Sequence, residues 1–239
     1  MMQENVKVPA PHAAENDPLG PADMVVGVLG GTGDQGRGLA RRLGLAGREV
    51  LIGSRSADRA RSIARDLPIA TGMDNTECAA RADLVVVAVP WDSHAPILSK
   101  VADELIGKII VDCVVPMGFD RHGAHTLDVP EGSACLQAQR ICPESRVVGA
   151  FHHVSATLLL DPSVPRVETD VMVVGDDRAA TDAVIELADT IPGMRGIYAG
   201  RLRNSRQVEA LTANLISINR RYRAHAGVRV TDVQRTPVR

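Results

Sequence analysis

The sequence predicts an α/β protein: a doubly wound parallel sheet with a small C-terminal α/β part that ends in a long helix. Three observations lead there. Apolar, β-branched runs alternate with stretches of helical periodicity along the chain, the pattern of strands joined by crossover helices. Leu84, Val85, Val86, Val87, Ala88 and Val89 form an unbroken apolar run that stops at Pro90, as a central strand covered on both faces requires. Residues 25–55 read as strand, glycine turn, helix and second strand, in that order.

The first of these units is the most specific. An apolar run over 25–29 enters a turn in which Gly31, Gly33 and Gly36 stand in G-x-G-x-x-G spacing. The first glycine permits the tight turn, the second lets a pyrophosphate approach the backbone, and the third lets the helix pack on the strand. The following helix points its free amides and positive dipole end at the phosphates. This Rossmann-type unit makes Gly31, Thr32, Gly33, Asp34, Gln35 and Gly36 candidate dinucleotide contacts. The end of the second strand, 50–52, then selects the dinucleotide. An NAD site wants a carboxylate there for the ribose 2′-hydroxyl. This chain has Ser54 and Arg55, with no acidic residue until Asp58, and Arg59 follows one helical turn after Arg55. A hydroxyl and two guanidinium groups suit a 2′-phosphate, so the expected cofactor is NADP(H).

The remaining elements follow in order. Helix is expected over 57–66, an extended piece over 68–71, helix over 75–81, strand over 83–89 and helix over 93–104. Strand over 108–113, helix over 132–141, strand over 146–150, strand over 171–175, helix over 178–190 and a short edge strand over 196–199 come next. The last helix, 203–222, carries Val208, Leu211, Leu215 and Ile218 at 3-4-3 spacing, an apolar stripe that wants a partner. These elements divide into a nucleotide-binding domain over 24–150 and a smaller part over 151–233. Residues 1–23 are expected to form a disordered tail, and the chain to fray from 229, with 234–239 free.

Composition narrows the function. Hydrophobic residues make up 45% of the chain and the formal net charge is −2, so neither sign dominates and nucleic acid is not an expected partner. No apolar run reaches the length of a membrane span, and the first 23 residues lack the apolar segment of a secretory signal. Cys78, Cys113, Cys135 and Cys142 show no C-x-x-C spacing, which argues against a zinc site and for reduced, buried thiols in a cytoplasmic protein.

Ligands of such sheets bind beyond the carboxyl ends of the strands. Val89, Pro90 and Trp91 end the fourth strand, where a nicotinamide ribose would run, with Trp91 either flanking it or capping the core. Residues 114–117, after the fifth strand, offer an apolar wall. The loop after the sixth strand holds His152, His153 and Val154, and His152 is the candidate catalytic residue; no further ligands near it in sequence complete a metal site. The chain has only Lys7, Lys100 and Lys108, so no lysine is placed to shuttle protons for alcohol oxidation, and arginine stays protonated. That favours direct hydride exchange with a second redox carrier. Asn204, Ser205 and Arg206, with Arg201 and Arg203 nearby, open the last helix and suit an anion; Asn204 or Ser205 is its expected N-cap.

Gly30 to Gly33, Gly36, Gly38-Leu39-Ala40, Gly53-Ser54-Arg55, Thr71-Gly72-Met73 and Val89-Pro90-Trp91 resemble the NADPH-dependent reductases of coenzyme F420, a deazaflavin. Phe151-His152-His153-Val154, Gly175-Asp176-Asp177 and the segment from Asn204 to Thr212 fit the second half of that family. The resemblance implies reversible hydride transfer between NADP(H) C4 and the deazaflavin C5 in a cytoplasmic homodimer. It places Thr32, Ser54, Arg55 and Arg59 on the 2′-phosphate, His152 and Val154 against the deazaflavin, and Arg206 with its neighbours on an anionic part of F420. His153 departs from relatives that carry a small hydroxyl residue there. Two other readings are an NADP-dependent reductase of a small imine or carbonyl, and a non-catalytic NADP(H) sensor.

Overall fold

A computed structural model describes residues 24–233; the tails expected over 1–23 and 234–239 lie outside them. The element order is β1 (Val26–Leu29), α1 (Asp34–Leu45), β2 (Val50–Ser54), α2 (Ala57–Ala64), β3 (Ala70–Asp74), α3 (Asn75–Arg81), β4 (Leu84–Val87), α4 (Trp91–Val101) and β5 (Ile109–Asp112). A hairpin of β6 (Met117–Asp120) and β7 (Gly123–Thr126) follows, then α5 (Ala134–Ile141), β8 (Arg146–Gly149), α6 (Ala156–Leu160), β9 (Thr169–Gly175), α7 (Arg178–Asp189), β10 (Met194–Gly200) and α8 (Ser205–Tyr222).

Eight strands form one sheet in the order β10-β9-β8-β5-β4-β1-β2-β3. β2 and β4 flank β1 and both pair with it in parallel, and the strand order reverses between β1 and β4. Side chains alternate across the sheet, as the period of 2 demands. Val26, Val28, Val50, Ile52, Leu84 and Val86 enter one core with Leu39 and Leu43 of α1. Leu29, Leu51, Val85 and Val87 enter the other with Leu98 of α4 and Ala138 of α5. Helices therefore cover both faces, and β4 is buried throughout, as its apolar run predicts.

Several expectations shift. The sheet is mixed, because β9 runs antiparallel to β8. The chain leaves β8 through α6 without crossing over the sheet, so the next strand returns beside it. The extended piece expected at 68–71 is β3, moved to Ala70–Asp74, and α4 begins at Trp91 with Pro90 as its N-cap. The hairpin β6–β7 and the short α6 were not anticipated. Residues 229 and 230 are anchored rather than frayed. The Asp170 carboxylate, fully buried at the start of β9, accepts from Arg195, Arg229 and the Val230 amide. Burial alone would raise its pKa, but these donors hold it at about 2. All four cysteines are buried and unpaired, and no helix among the described residues is long and apolar enough to cross a membrane.

Candidate functional site

At the carboxyl ends of β1, β2 and β4 lies a cleft of about 340 Å³, lined by Gly30, Thr32, Gly33, Ser54, Arg55, Ser56, Arg59 and Asn75 on one side. Ala88, Val89, Pro90, Ser93 and Ile97 line the other. It sits at the reversal of strand order, where open α/β sheets place their ligands.

The glycine turn shapes its floor. Gly30 has φ +77, a conformation that favours glycine, and a Cβ there would lie 2.4 Å from the Ala88 carbonyl oxygen. A Cβ on Gly36 would come within 2.8 Å of the Gly30 carbonyl oxygen. Both positions therefore need the missing side chain. The turn is closed by the Gly33 amide donating to Gly30 O at 2.9 Å. Helix α1 starts at Gly33 with no side-chain cap, so its first amides keep their donors for a ligand. Such an open cradle fits a pyrophosphate.

Beside it, Ser54 ends β2 and its Oγ accepts from the Ser56 amide at 3.3 Å, while Ser56 caps α2 by accepting from the Arg59 amide at 3.3 Å. These caps fix the turn that carries Arg55 and Arg59, both exposed. Asp58, the nearest carboxylate in sequence, pairs with Arg61 instead. Thus Thr32, Ser54, Arg55 and Arg59 all line the cleft, and hydroxyl and guanidinium groups are donors of the kind a phosphate accepts from. Ser56 and Asn75 also line it; cap and turn chemistry around Asp74, whose side chain accepts from the Thr76 and Glu77 amides, could have flagged the latter.

Other expected contacts are engaged within the chain. The Gln35 side-chain Nε2 donates to the Phe151 carbonyl at 3.2 Å, and this side chain is not among those that line the cleft. Asp34 is exposed and pairs with Arg37. Gly31 is buried beneath the turn. Trp91 stacks on His94 at 5.5 Å between ring centres and packs on the second core, closer to the capping role than to a free cleft wall.

Beneath the cleft lies a coupling that spacing did not reveal. His94 and Asp112 are both fully buried, with His94 Nε2 2.8 Å from Asp112 Oδ2 and Nδ1 2.9 Å from Gln137 Oε1. Burial would lower the His94 pKa, but the Asp112 carboxylate and the hydrogen bonds the ring can donate to Asp112 and Gln137 outweigh it and the pKa is raised. Asp112 Oδ1 also accepts from the Val114 amide, which fixes the chain as it leaves β5.

His152 lies behind the cleft rather than on its lining. It is 5% exposed, follows Phe151 at φ +63, and places Nε2 3.8 Å from Cys135 Sγ. Burial lowers its pKa to about 4, so its ring is neutral near pH 7. His153 is lowered to about 4 for the same reason and accepts from the Met172 amide through Nε2. Val154 is buried in the first core. Cys135, His152 and Glu209 gather within 4.8 Å, a set no sequence spacing shows. The Glu209 oxygens accept from the Ala134 and Cys135 amides at the start of α5, so this buried carboxylate ties α8 to α5. Burial raises its pKa.

The start of α8 differs from expectation in detail. Asn204 is the N-cap but makes no side-chain cap bond. The Ser205 hydroxyl is buried against Ser133 Oγ at 2.6 Å, so it does not face an anion. Arg206 reaches outward, pairs with Asp128 at 3.0 Å, and lines a separate small crevice with Pro116 and Leu127.

Comparison with known proteins fits this geometry. The family described as NADP oxidoreductase coenzyme F420-dependent matches residues 25–116. A Methanothermobacter thermautotrophicus protein named F420-dependent NADP reductase is 40% identical over 223 residues, covering 88% of this chain and 96% of that protein. A protein of the same name from Methanocaldococcus jannaschii is 35% identical, covering 88% of this chain and 100% of its own. Among solved structures, an Arthrobacter sp. FB24 protein assigned as an F420-dependent NADP-reductase superposes with a TM-score of 0.74 at 30% identity, over 84% of this chain and 96% of that one.

Proposed function

This chain belongs to the F420-dependent NADP reductases, and from that membership we propose that it catalyses reversible hydride transfer between NADP(H) and the deazaflavin coenzyme F420. The observation that carries the nucleotide half is the convergence of Thr32, Ser54, Arg55 and Arg59 on a cleft whose glycine floor leaves the α1 amides open. The two coenzymes supply the redox chemistry, a hydride passing from one reactive carbon to the other.

What the protein contributes is grip, orientation and exclusion of water. Arg55 and Arg59 bind the 2′-phosphate with Thr32 and Ser54, and each charge-assisted hydrogen bond there contributes about 1.5–3 kcal/mol. The open amides of α1 take the pyrophosphate. Val89 and Pro90 form the wall along which the nicotinamide end runs, ordered from below by the His94–Asp112 pair. The second coenzyme lies against the loop of His152 and Val154, with Arg206 taking an anionic part of it. A neutral His152 is a hydrogen-bonding and packing group there, and no group is asked to shuttle a proton across the cleft.

The protein acts as a cytoplasmic homodimer in this reading. Ile218 is 41% and Tyr222 73% exposed on α8, and Phe119 is 68% exposed on the neighbouring hairpin, apolar surface that a second copy would cover. The test of function is absorbance: NADPH mixed with oxidised F420 should bleach the deazaflavin band at catalytic protein concentrations. NADPH oxidation with a small imine and none with F420 would overturn the reading.

A further inference from the structure

Helix α1 presents an unusual face to the segment that follows β8. Gln35, in its first turn, donates to the Phe151 carbonyl. Gly38, three residues on, packs so closely that a Cβ would lie 2.6 Å from Leu159 Cβ. Arg42, four residues further and 3% exposed, sends its guanidinium to four carbonyls: Leu159 O at 2.8 Å, Val164 O at 2.8 Å, Leu158 O at 2.5 Å and Asp161 O at 3.2 Å. These positions, spaced 3 and 4 apart, share one side of the helix. They lay residues 151–164 along α1 like a strap.

The chemistry of the strap assigns Arg42 its part. Helix α6 has only five residues, too short to hold its own shape in water. Its last carbonyls lack intrahelical partners; Arg42 collects two of them, Leu158 O and Leu159 O, together with Asp161 O and Val164 O from the turn beyond. A guanidinium has five N–H donors in a planar fork and a charge that suits a helix C-terminus. A lysine has the charge without the fork. No apolar side chain could donate to these four carbonyls. The same α1 opens at its other end on the nucleotide cradle, and the strap begins with the loop of His152 and Val154.

We propose that Arg42 is a positioning residue: it holds the 151–164 segment, and with it His152 and Val154, in register with the helix that receives the nucleotide. The proposal rests on the reading of that loop as the wall of the F420 site. Arg42 touches neither coenzyme and acts by setting the separation between their two supports, where small displacements are costly to hydride transfer.

Two variants test it, Arg42→Met and the milder Arg42→Lys, the second guarding against a failure of the first to fold. Amide hydrogen exchange on the coenzyme-free proteins should rise at least tenfold within 151–164 and stay unchanged within 24–54. In steady-state assays kcat/KM for F420 should fall by about 10- to 100-fold, with KM for NADPH within twofold of the parent and Arg42→Lys intermediate. A KM for NADPH that rises together with the loss in F420 turnover, unchanged F420 kinetics, or exchange that does not rise in the strap would overturn the proposal. The exchange arm needs no coenzyme, so it separates this outcome from a failed functional reading, which shows as an unmodified protein unable to reduce F420.

Discussion

In the proposed reading, cofactor choice turns on Arg55. It stands at the end of β2 where an NAD enzyme carries an acid, and no carboxylate neutralises it from the adjacent turn because Asp58 is held by Arg61. Arg55→Ala is expected to raise KM for NADPH by about 10- to 100-fold, the loss of one charge-assisted contact, while KM for NADH changes little. An unaltered NADPH-to-NADH preference would remove Arg55 from the site. Arg206 makes the complementary case. Its pair with Asp128 is exposed and contributes little to stability, so Arg206→Ala should leave the melting temperature and NADPH kinetics intact and raise KM for F420 severalfold. Titration measuring both coenzymes checks this, and parallel weakening of the two would contradict it. That Arg55 and Ser54 line the cleft was legible in the sequence because a strand end and the helix start that follows it are local. Ser205 was misread for the converse reason: its hydroxyl meets Ser133, 72 residues away, and nothing nearby in the chain announces that bond.

At the scale of elements, the strand–turn–helix unit was readable because Gly30, Gly31 and Gly36 each meet backbone or packed side-chain atoms where a Cβ would stand. Gly36→Ala would drive a Cβ to 2.8 Å from the Gly30 carbonyl and 3.0 Å from Gly31 Cα, both backbone atoms that cannot swing away. The turn must then open, and NADPH affinity should fall more than tenfold at a cost in stability of about 1–3 kcal/mol; isothermal titration and a denaturant melt would read both. Wild-type NADPH affinity in that variant would mean that the turn is not the phosphate cradle. Other elements left weaker traces. The β6–β7 hairpin carries Asp120, Arg121, His122 and His125, whose charge and polarity hide the apolar alternation of a strand. Its turn is held by Asp120 Oδ1 accepting from the His122 and Gly123 amides, with Gly123 at φ +123, chemistry a turn search could have found. The direction of β9 was not legible at all, since a buried strand reads the same whichever way it runs.

Across the whole molecule, buried histidines set the response to pH. His152 and His153 sit near 4 by burial, whereas in an unfolded chain each titrates near ~6.5. The unfolded chain therefore binds more protons as pH falls through that window, and stability drops by up to about 1.4 kcal/mol per pH unit for each ring. His94 has the opposite sign. Its raised pKa makes a contribution that is complete below ~6.5 and is lost as pH rises through the folded value. The melting temperature should thus peak in mildly acidic solution, and His153→Gln, which keeps an acceptor for the Met172 amide, should flatten the acid limb. An acid limb unchanged by that variant would contradict the assignment. The exposed apolar side of α8 makes a further prediction at this scale. Light scattering should give twice the chain mass, and Ile218→Arg should shift the protein toward the monomer; a monomeric parent would rule out the proposed dimer. The Cys135–His152–Glu209 and His94–Asp112 groupings belong here too. Each joins residues from different elements, and only the assembled fold brings them together.

The account centres on a hydrogen that passes directly from one carrier to the other without entering water. NADPH carrying deuterium at nicotinamide C4, on the transferred face, would be turned over with oxidised F420 in ordinary water and the reduced deazaflavin examined by NMR and mass spectrometry. Direct transfer predicts one deuterium at C5 for each NADPH oxidised. Label lost to solvent, or NADPH consumed with no deuterium on the deazaflavin, would contradict it.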